Sequence, residues 1–333
     1  MNHDQAATVR PLTLAWVSRH LEPGERIVRA VALHGGITAE MRRLTIGTRD
    51  GGTRDLVLRT YVDPFYVEHA EGALNAEADA LTLLTGTGVP APALVAVDPT
   101  AAQCESPSLL MTHLAGRTVL DDQGVETRVR LLARQLVAIH ALRPVERPRK
   151  YVTLTTADTV VVPERADAAV WAAAIDVIRK PPPPCEGRFL HRDFQPGNVL
   201  FDVPPSNPEA ARITGVVDWA PSWGPADLDV AHCSVNLALL HGPAWGMRFA
   251  EVYEEAGGVL AATAGERLYW RVRDAMAASE EVRTGVLRCR PRTASHPACS
   301  DSRSRDESGT SGELVSKCGW WGGGSRMSLF SRA

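Results

Sequence analysis

The chain has 333 residues, 44% of them apolar and 23% charged, with a formal net charge of −3. That composition excludes disordered and fibrous proteins and leaves room for two domains or one bilobal unit. No apolar run approaches the ~18 to 20 residues of a membrane-spanning helix, and the start, Met1-Asn2-His3-Asp4-Gln5, lacks a basic then apolar leader, so a cytoplasmic protein without a membrane partner is expected. Charge is uneven: residues 283–333 hold nine Lys and Arg against four acids, leaving 27 basic and 35 acidic residues, a net −8, before them. An acidic body disfavours nucleic acid and favours cationic ligands. Six scattered cysteines without a CxxC pair argue against a zinc site or a disulfide framework. Nothing in the pattern specifies an oligomeric state.

In chain order, Leu12, Leu14, Trp16, Val17 and Leu21 predict an opening helix that stops near Pro23-Gly24. Residues 26–33, 41–46 and 56–62 alternate as strands separated by Gly-containing turns and predict an antiparallel meander. Residues 76–84 predict a helix, residues 89–92 open an extended stretch, and residues 109–114 predict another strand. From about residue 127 the chain reads as helical over 128–142, 165–180, 227–240, 245–256 and 262–277, with the second of these stopped by the prolines of 181–184. Strands first and helices afterwards indicate α+β rather than a doubly wound sheet. Residues 288–332, rich in Ser, Arg, Gly and Cys, show neither period; a disordered tail and an out-of-frame translation are the two readings.

The strongest local signal is residues 189–201, FLHRDFQPGNVLF, which read as strand, polar loop, strand. On such a loop Asp193 can accept a proton from a hydroxyl while Asn198, five residues on, holds a divalent ion. Twenty residues beyond Asn198, the apolar run 213–217 ends in Asp218, whose carboxylate would complete an oxygen-only magnesium site. His191, Asp193, Asn198 and Asp218 are expected at one edge of a hairpin.

These motifs resemble the aminoglycoside phosphotransferase family of small-molecule kinases over about residues 10–280. The resemblance implies a bilobal protein-kinase-like fold, with an antiparallel-sheet N-lobe over 1–115, a mainly helical C-lobe over 116–282, and 283–333 outside it. It implies ATP as phosphoryl donor, magnesium as cofactor and a small hydroxylated acceptor. Asp193 would be the catalytic base, Asn198 and Asp218 the magnesium ligands, and His191 a brace bonded to backbone near Asp218. Asp229, in GPADLDVA (224–231), would tie down the catalytic loop, although Pro225 stands where the family often has Asp. Gly35 and Gly36 resemble the turn over the nucleotide phosphates, and also read as an ordinary hairpin turn. Arg59 would take the place of the phosphate-binding cation, aimed by Glu77, with Glu71 and Asp79 as neighbouring alternatives. Main-chain groups around Met111 and His113 would meet adenine. Trp219 and Trp223 would either face the acceptor or pack in the core.

Two other functions compete. A protein kinase is encouraged by His191-Arg192-Asp193 but opposed by Gln195, by Asp218-Trp219-Ala220, and by the ten residues between Asp218 and Asp229, too few for a peptide-docking segment. A nucleotide-binding remnant without turnover would follow from a C-lobe left incomplete by the aberrant tail.

Overall fold

The fold is that of a computed structural model, which describes residues 9–33, 38–152, 156–164 and 166–277. Gly35, Gly36 and the segment 283–333 lie outside the described residues. Pro11 opens helix α1 (Pro11–Arg19), and the distant Glu105 carboxylate accepts from the Leu12 and Thr13 amides, which have no partner within the helix. Strands β1 (Arg26–Leu33), β2 (Glu40–Gly47) and β3 (Thr53–Thr60) form the expected antiparallel meander. After helices α2 (Pro64–Val67) and α3 (Ala70–Leu84), strands β4 (Leu94–Asp98) and β5 (Ser108–Thr112) complete a five-stranded sheet in the order β1-β2-β3-β5-β4.

Period-two alternation assigns the faces of this sheet. Leu44, Ile46, Leu56, Leu58 and Leu110 pack with Trp16 and Val17 of α1, whereas Val57, Leu109 and Met111 pack with Leu74, Ala78 and Leu81 of α3. Arg59, two residues after Val57, therefore projects toward α3. Helix α3 begins six residues earlier than the pattern predicts, and α2 precedes it. Gly72 and Asn75 weaken helix propensity there, yet burial of Ala70 and Leu74 outweighs that cost. The strand expected from residue 89 begins instead at Leu94, since Pro90 and Pro92 cannot donate to a ladder. The Pro90 carbonyl is nonetheless used: it accepts from the Val216 amide at 2.7 Å and stitches the sheet to the second half of the chain.

That half is mainly helical. Helices α4 (Val125–His140) and α5 (Ala168–Arg179) precede two short antiparallel ribbons. Strands β6 (Arg188–Leu190), β7 (Val199–Asp202), β8 (Arg212–Val216) and β9 (Ser222–Gly224) pair as β7 with β8 inside and β6 with β9 outside, a nested pair where one hairpin was expected. Helices α6 (Asp227–His241), α7 (Pro243–Glu255) and α8 (Ala264–Ala277) follow, with α6 buried almost all round between the other two. The architecture is α+β and bilobal, an N-terminal sheet against a helical half, as the resemblance implied. One apolar core runs through both, from Val57 and Leu81 to Leu132, Phe201 and Leu237.

The α6–α7 crossing depends on Gly246, where an added Cβ would stand 2.5 Å from the Ser234 carbonyl oxygen and 2.8 Å from the Ala238 Cβ. Gly246→Leu is expected to force the helices apart and cost about 1 to 3 kcal/mol, read as a lower urea midpoint at unchanged m-value.

Candidate active site

The loop between β6 and β7 carries three of the predicted residues, and α6 holds it from beneath. Asp229, fully buried, accepts from the backbone amides of His191 at 2.7 Å and Arg192 at 2.9 Å. Those bonds sustain a strained backbone: Arg192 has φ of +73° and Asp218 φ of +65°, left-handed conformations that cost a non-glycine residue about 1 to 2 kcal/mol each. Burial alone would raise the Asp229 carboxyl, but His140, with Nε2 3.3 Å away, and the nearby Arg192 pull it down to about 2. Tyr253 in turn bonds His140 Nδ1 at 2.8 Å, so a buried chain of polar groups supports the loop.

His191 is fully buried and takes one tautomer. Its Nδ1 accepts from the Asp193 amide at 3.2 Å, so Nε2 carries the proton and donates to the Val217 carbonyl at 3.1 Å, beside Asp218. Burial pushes its pKa below the ordinary histidine value, against the pull of Asp229, Asp193 and Asp218. A neutral imidazole with both nitrogens engaged braces the loop, its one N–H committed to the Val217 carbonyl. Asp193 is nearly buried. Its Oδ1 accepts from Gln195 Nε2 at 3.2 Å and is bonded to His232 Nε2 at 2.9 Å, while its Oδ2 accepts from Asn198 Nδ2 at 2.9 Å.

Arg59 links the lobes. Its guanidinium donates to Glu77 Oε2 at 2.5 Å and lies 3.0 Å from Asp218 Oδ1. Burial works against its charge, but Glu77 and Asp218 outweigh it and hold Arg59 above the ordinary arginine range. Burial pushes the Glu77 carboxyl up, with Arg59 and the Trp219 amide working the other way. Of the alternatives weighed for the partner of Arg59, Glu71 and Asp79 make no ion pair with it among the described residues. Arg59, Glu77, Asp193 and Asp218 line one cavity of about 410 Å³, with Glu68 and Glu71 from the N-terminal half and Lys150 and Tyr151 from the other.

Of the other predicted residues, Trp219 lines the same cavity, and Met111, His113 and Trp223 are not among its lining. Met111 is a buried core side chain in β5. The His113 amide is already engaged by the Asp55 carbonyl at 3.1 Å, so it is withdrawn from any ligand at this edge. Trp219 packs in the core: its ring centroid is 4.3 Å from that of His191, and its Nε1 donates to the Val216 carbonyl. Trp223 carries the Arg147 guanidinium 4.7 Å over its ring, which covers the face expected to meet an acceptor. Neither tryptophan is a stacking platform, because burial and an internal cation occupy those surfaces first.

Residues 30–270, more than half of the chain, match the profile of the phosphotransferase enzyme family. The chain belongs to that family. Solved structures with the same fold include an aminoglycoside-3'-phosphotransferase of type VIII, at 22% identity and TM-score 0.55, covering 79% of this chain and 98% of that one. They also include macrolide 2'-phosphotransferase type I, at 18% identity and TM-score 0.55, covering 84% and 93%. A thermostable variant of aminoglycoside phosphotransferase APH(4)-Ia in ternary complex with AMP-PNP and hygromycin B matches at 18% identity and TM-score 0.55, covering 78% and 88%. The comparison with curated proteins returned no match. This chain is thus a member of a phosphotransferase family on a kinase-like scaffold, and no helix among its described residues is long and apolar enough to cross a membrane.

Sequence reasoning missed His232, Asn236 and Asp274 in this phosphotransferase. The signal was present: Asp229, His232 and Asn236 recur at i, i+3 and i+7 on one face of the helix, and every one of them is buried. Asp274, on α8, has no local signature. The depressed carboxyl of Asp229 gives a signed expectation. Its stabilisation of about 2 kcal/mol is present above the unfolded value near pH 4 and is lost as pH falls toward about 2. Asp229→Asn should remove that part of the acid limb and lower stability at neutral pH by about 2 to 4 kcal/mol, checked by urea titration across pH.

Proposed function

We propose that this protein transfers the γ-phosphoryl group of ATP to a hydroxyl of a small molecule. The observation that carries the reading is the single cavity shared by Arg59, Asp193 and Asp218. The acceptor hydroxyl oxygen would attack the γ-phosphorus, the bond to the bridging oxygen would break with its electron pair leaving on ADP, and the hydroxyl proton would pass to Asp193. Phosphoryl transfer of this kind needs positioning and charge neutralisation more than covalent participation by the protein.

Arg59 would turn from Asp218 to phosphate oxygens, which its planar fork can grip in a bidentate manner. Glu77 would keep it aimed. Asn198 commits its amide N–H groups to the carbonyl and the carboxylate of Asp193, leaving its amide oxygen uncommitted, and Asp218 offers carboxylate oxygens. Few hard oxygen donors completed by phosphate oxygens suit magnesium, so these two residues would hold it. Bound there, the cation would neutralise phosphate charge. The Gly35-Gly36 turn, with residues 1–115, would cover the nucleotide, and residues 116–282 would carry catalysis and the acceptor. Main-chain groups after Met111 remain the adenine contacts in this reading, with the Leu114 amide replacing that of His113. Cytoplasmic residence agrees with ATP as donor and with the free thiols of Cys104 and Cys233.

A peptide acceptor is disfavoured because the ten residues between Asp218 and Asp229 include β9 and leave no room for a docking segment. Asp193→Ala is expected to lower kcat by at least about 100-fold while leaving ATP affinity within about twofold. Asp218→Ala should weaken magnesium-dependent nucleotide binding, and Arg59→Ala should raise the KM for ATP. ADP release with ATP, magnesium and a panel of amine sugars and macrolides reads all three. ATP binding without ADP release by the unsubstituted protein would instead identify a remnant, and normal turnover in either aspartate variant would overturn the assigned roles.

A further inference from the structure

His232 is a buried titratable group in contact with Asp193 that the proposed reaction does not use. It sits on α6 between two carboxylates of distant origin. Its Nε2 lies 2.9 Å from Asp193 Oδ1, its Nδ1 lies 3.3 Å from Asp274 Oδ2 on α8, and both aspartates and the histidine are buried. Asn236, one turn along, donates to the His232 carbonyl at 2.9 Å and lies 3.3 Å from Nε2, which fixes the ring's position on the helix.

A neutral imidazole offers one N–H and one lone pair, so it cannot donate to carboxylates on both sides. With Nδ1–H directed at Asp274, a bare Nε2 would face Asp193 lone pair to lone pair; with Nε2–H directed at Asp193, the same conflict moves to Asp274. Both bonds form only if the trio holds one proton more than two carboxylates and a neutral imidazole do. Asp193 must be ionised to receive the hydroxyl proton, so the extra proton lies on the ring or on Asp274, and the imidazole, with the higher ordinary pKa, is the stronger base of the two. The charges around it agree with this: Asp193 on the loop and Asp274 on α8 touch it, Asp229 lies one turn back on α6, and Arg192 and Arg273 adjoin the two bonded aspartates in sequence.

We propose that His232, held as an imidazolium by Asp274, is the positioning residue that locks the Asp193 carboxylate toward the cavity. The proposal rests on the phosphotransferase reading above. Oδ1 is then pinned by His232 and Gln195, Oδ2 by Asn198, and the carboxylate has lost its freedom to rotate. Pairing with a cation lowers the basicity of Asp193, but in a loose transition state the hydroxyl proton leaves late, so orientation outweighs basicity. Asp274 reaches the reaction only through His232.

Two measurements on the full-length protein test this. Nitrogen NMR of the histidine side chains, with the His232 signals assigned by their loss in His232→Gln, is expected to show both ring nitrogens protonated at neutral pH, and one lone pair to return in Asp274→Asn. A His232 ring with one bare nitrogen at neutral pH overturns the proposal. ADP release from magnesium-ATP with water as acceptor is expected to fall about tenfold or more in kcat in Asp274→Asn and His232→Leu at unchanged KM for ATP, with partial recovery in His232→Gln, which keeps one N–H donor. Unchanged kcat in His232→Leu, with the fold verified by circular dichroism, also overturns it. An unsubstituted protein that binds ATP but releases no ADP with water or with any acceptor of the panel sinks the phosphotransferase reading instead, and the NMR result still decides the protonation of the bridge.

Discussion

One guanidinium holds the two halves of the site in register. Arg59 comes from the sheet, Glu77 from the helix packed on it, and Asp218 from the far side of the cavity, so three segments meet at one cation. Burying such charges is costly, and the arrangement persists only because each has a partner at hydrogen-bond distance. Removing Arg59 leaves the buried Glu77 carboxyl without its cation, whereas removing either carboxylate leaves the guanidinium one partner. The same logic makes the trio a contact that substrate can reorganise: phosphate oxygens entering the cavity would compete with Asp218 for the cation, and Asp218 would be released to a metal. Without nucleotide, Arg59 keeps both carboxylates neutralised in a site that would otherwise repel a polyanion.

Beneath that contact, α6 acts as the spine of the loop between β6 and β7. A single helical face presents Asp229 to the loop backbone and His232 to the loop's carboxylate. The left-handed backbone at Arg192 and Asp218 is the strained element, and it is tolerated because amides on either side of the strain are tied down: His191 and Arg192 to Asp229, Val217 to the Asn198 carbonyl, Ala220 to the His191 carbonyl. Strain held by bonds of this kind pre-organises the side chains before any substrate arrives. The apolar character of α6 serves the same end, since a helix packed on several sides cannot shift its polar face relative to the loop.

Much of this was legible in the sequence where the signal is local. The period of two predicted the three-stranded meander, and the residues 189–201 named Asp193, Asn198 and His191 before their geometry was known. What stayed hidden depends on distance. The nesting of β6 with β9 around β7 and β8 is a long-range pairing that alternation cannot register. The bonds of His232 to Asp193 and Asp274 span 39 and 42 residues, and a buried polar residue on a helix reads as an ordinary interruption until its partner is seen. The tryptophans were open to either reading in the sequence, facing an acceptor or packing in the core, and the fold packs them against His191 and under Arg147. The His113 amide is engaged for a backbone reason that its sequence does not show, because pairing to the edge of β3 continues one residue past the strand.

The acceptor is where fold and site part company. The solved relatives share 18 to 22% identity with this chain, enough to carry the scaffold and too little to carry the pocket wall. Around the cavity, acids from α2's end and α3 face Lys150 and Tyr151 from the segment ahead of α5, so the wall is zwitterionic although the body of the chain is acidic. Net charge therefore steers approach without selecting the ligand. On the proposed reading, selection would fall to the few groups that an acceptor must satisfy once water has left: a hydroxyl at Asp193, and polar substituents spaced to meet carboxylates on one side and an ammonium on the other. A pocket built that way rejects a molecule lacking one substituent more strongly than it rewards one that is merely cationic, because each unmet polar group is left buried without a partner.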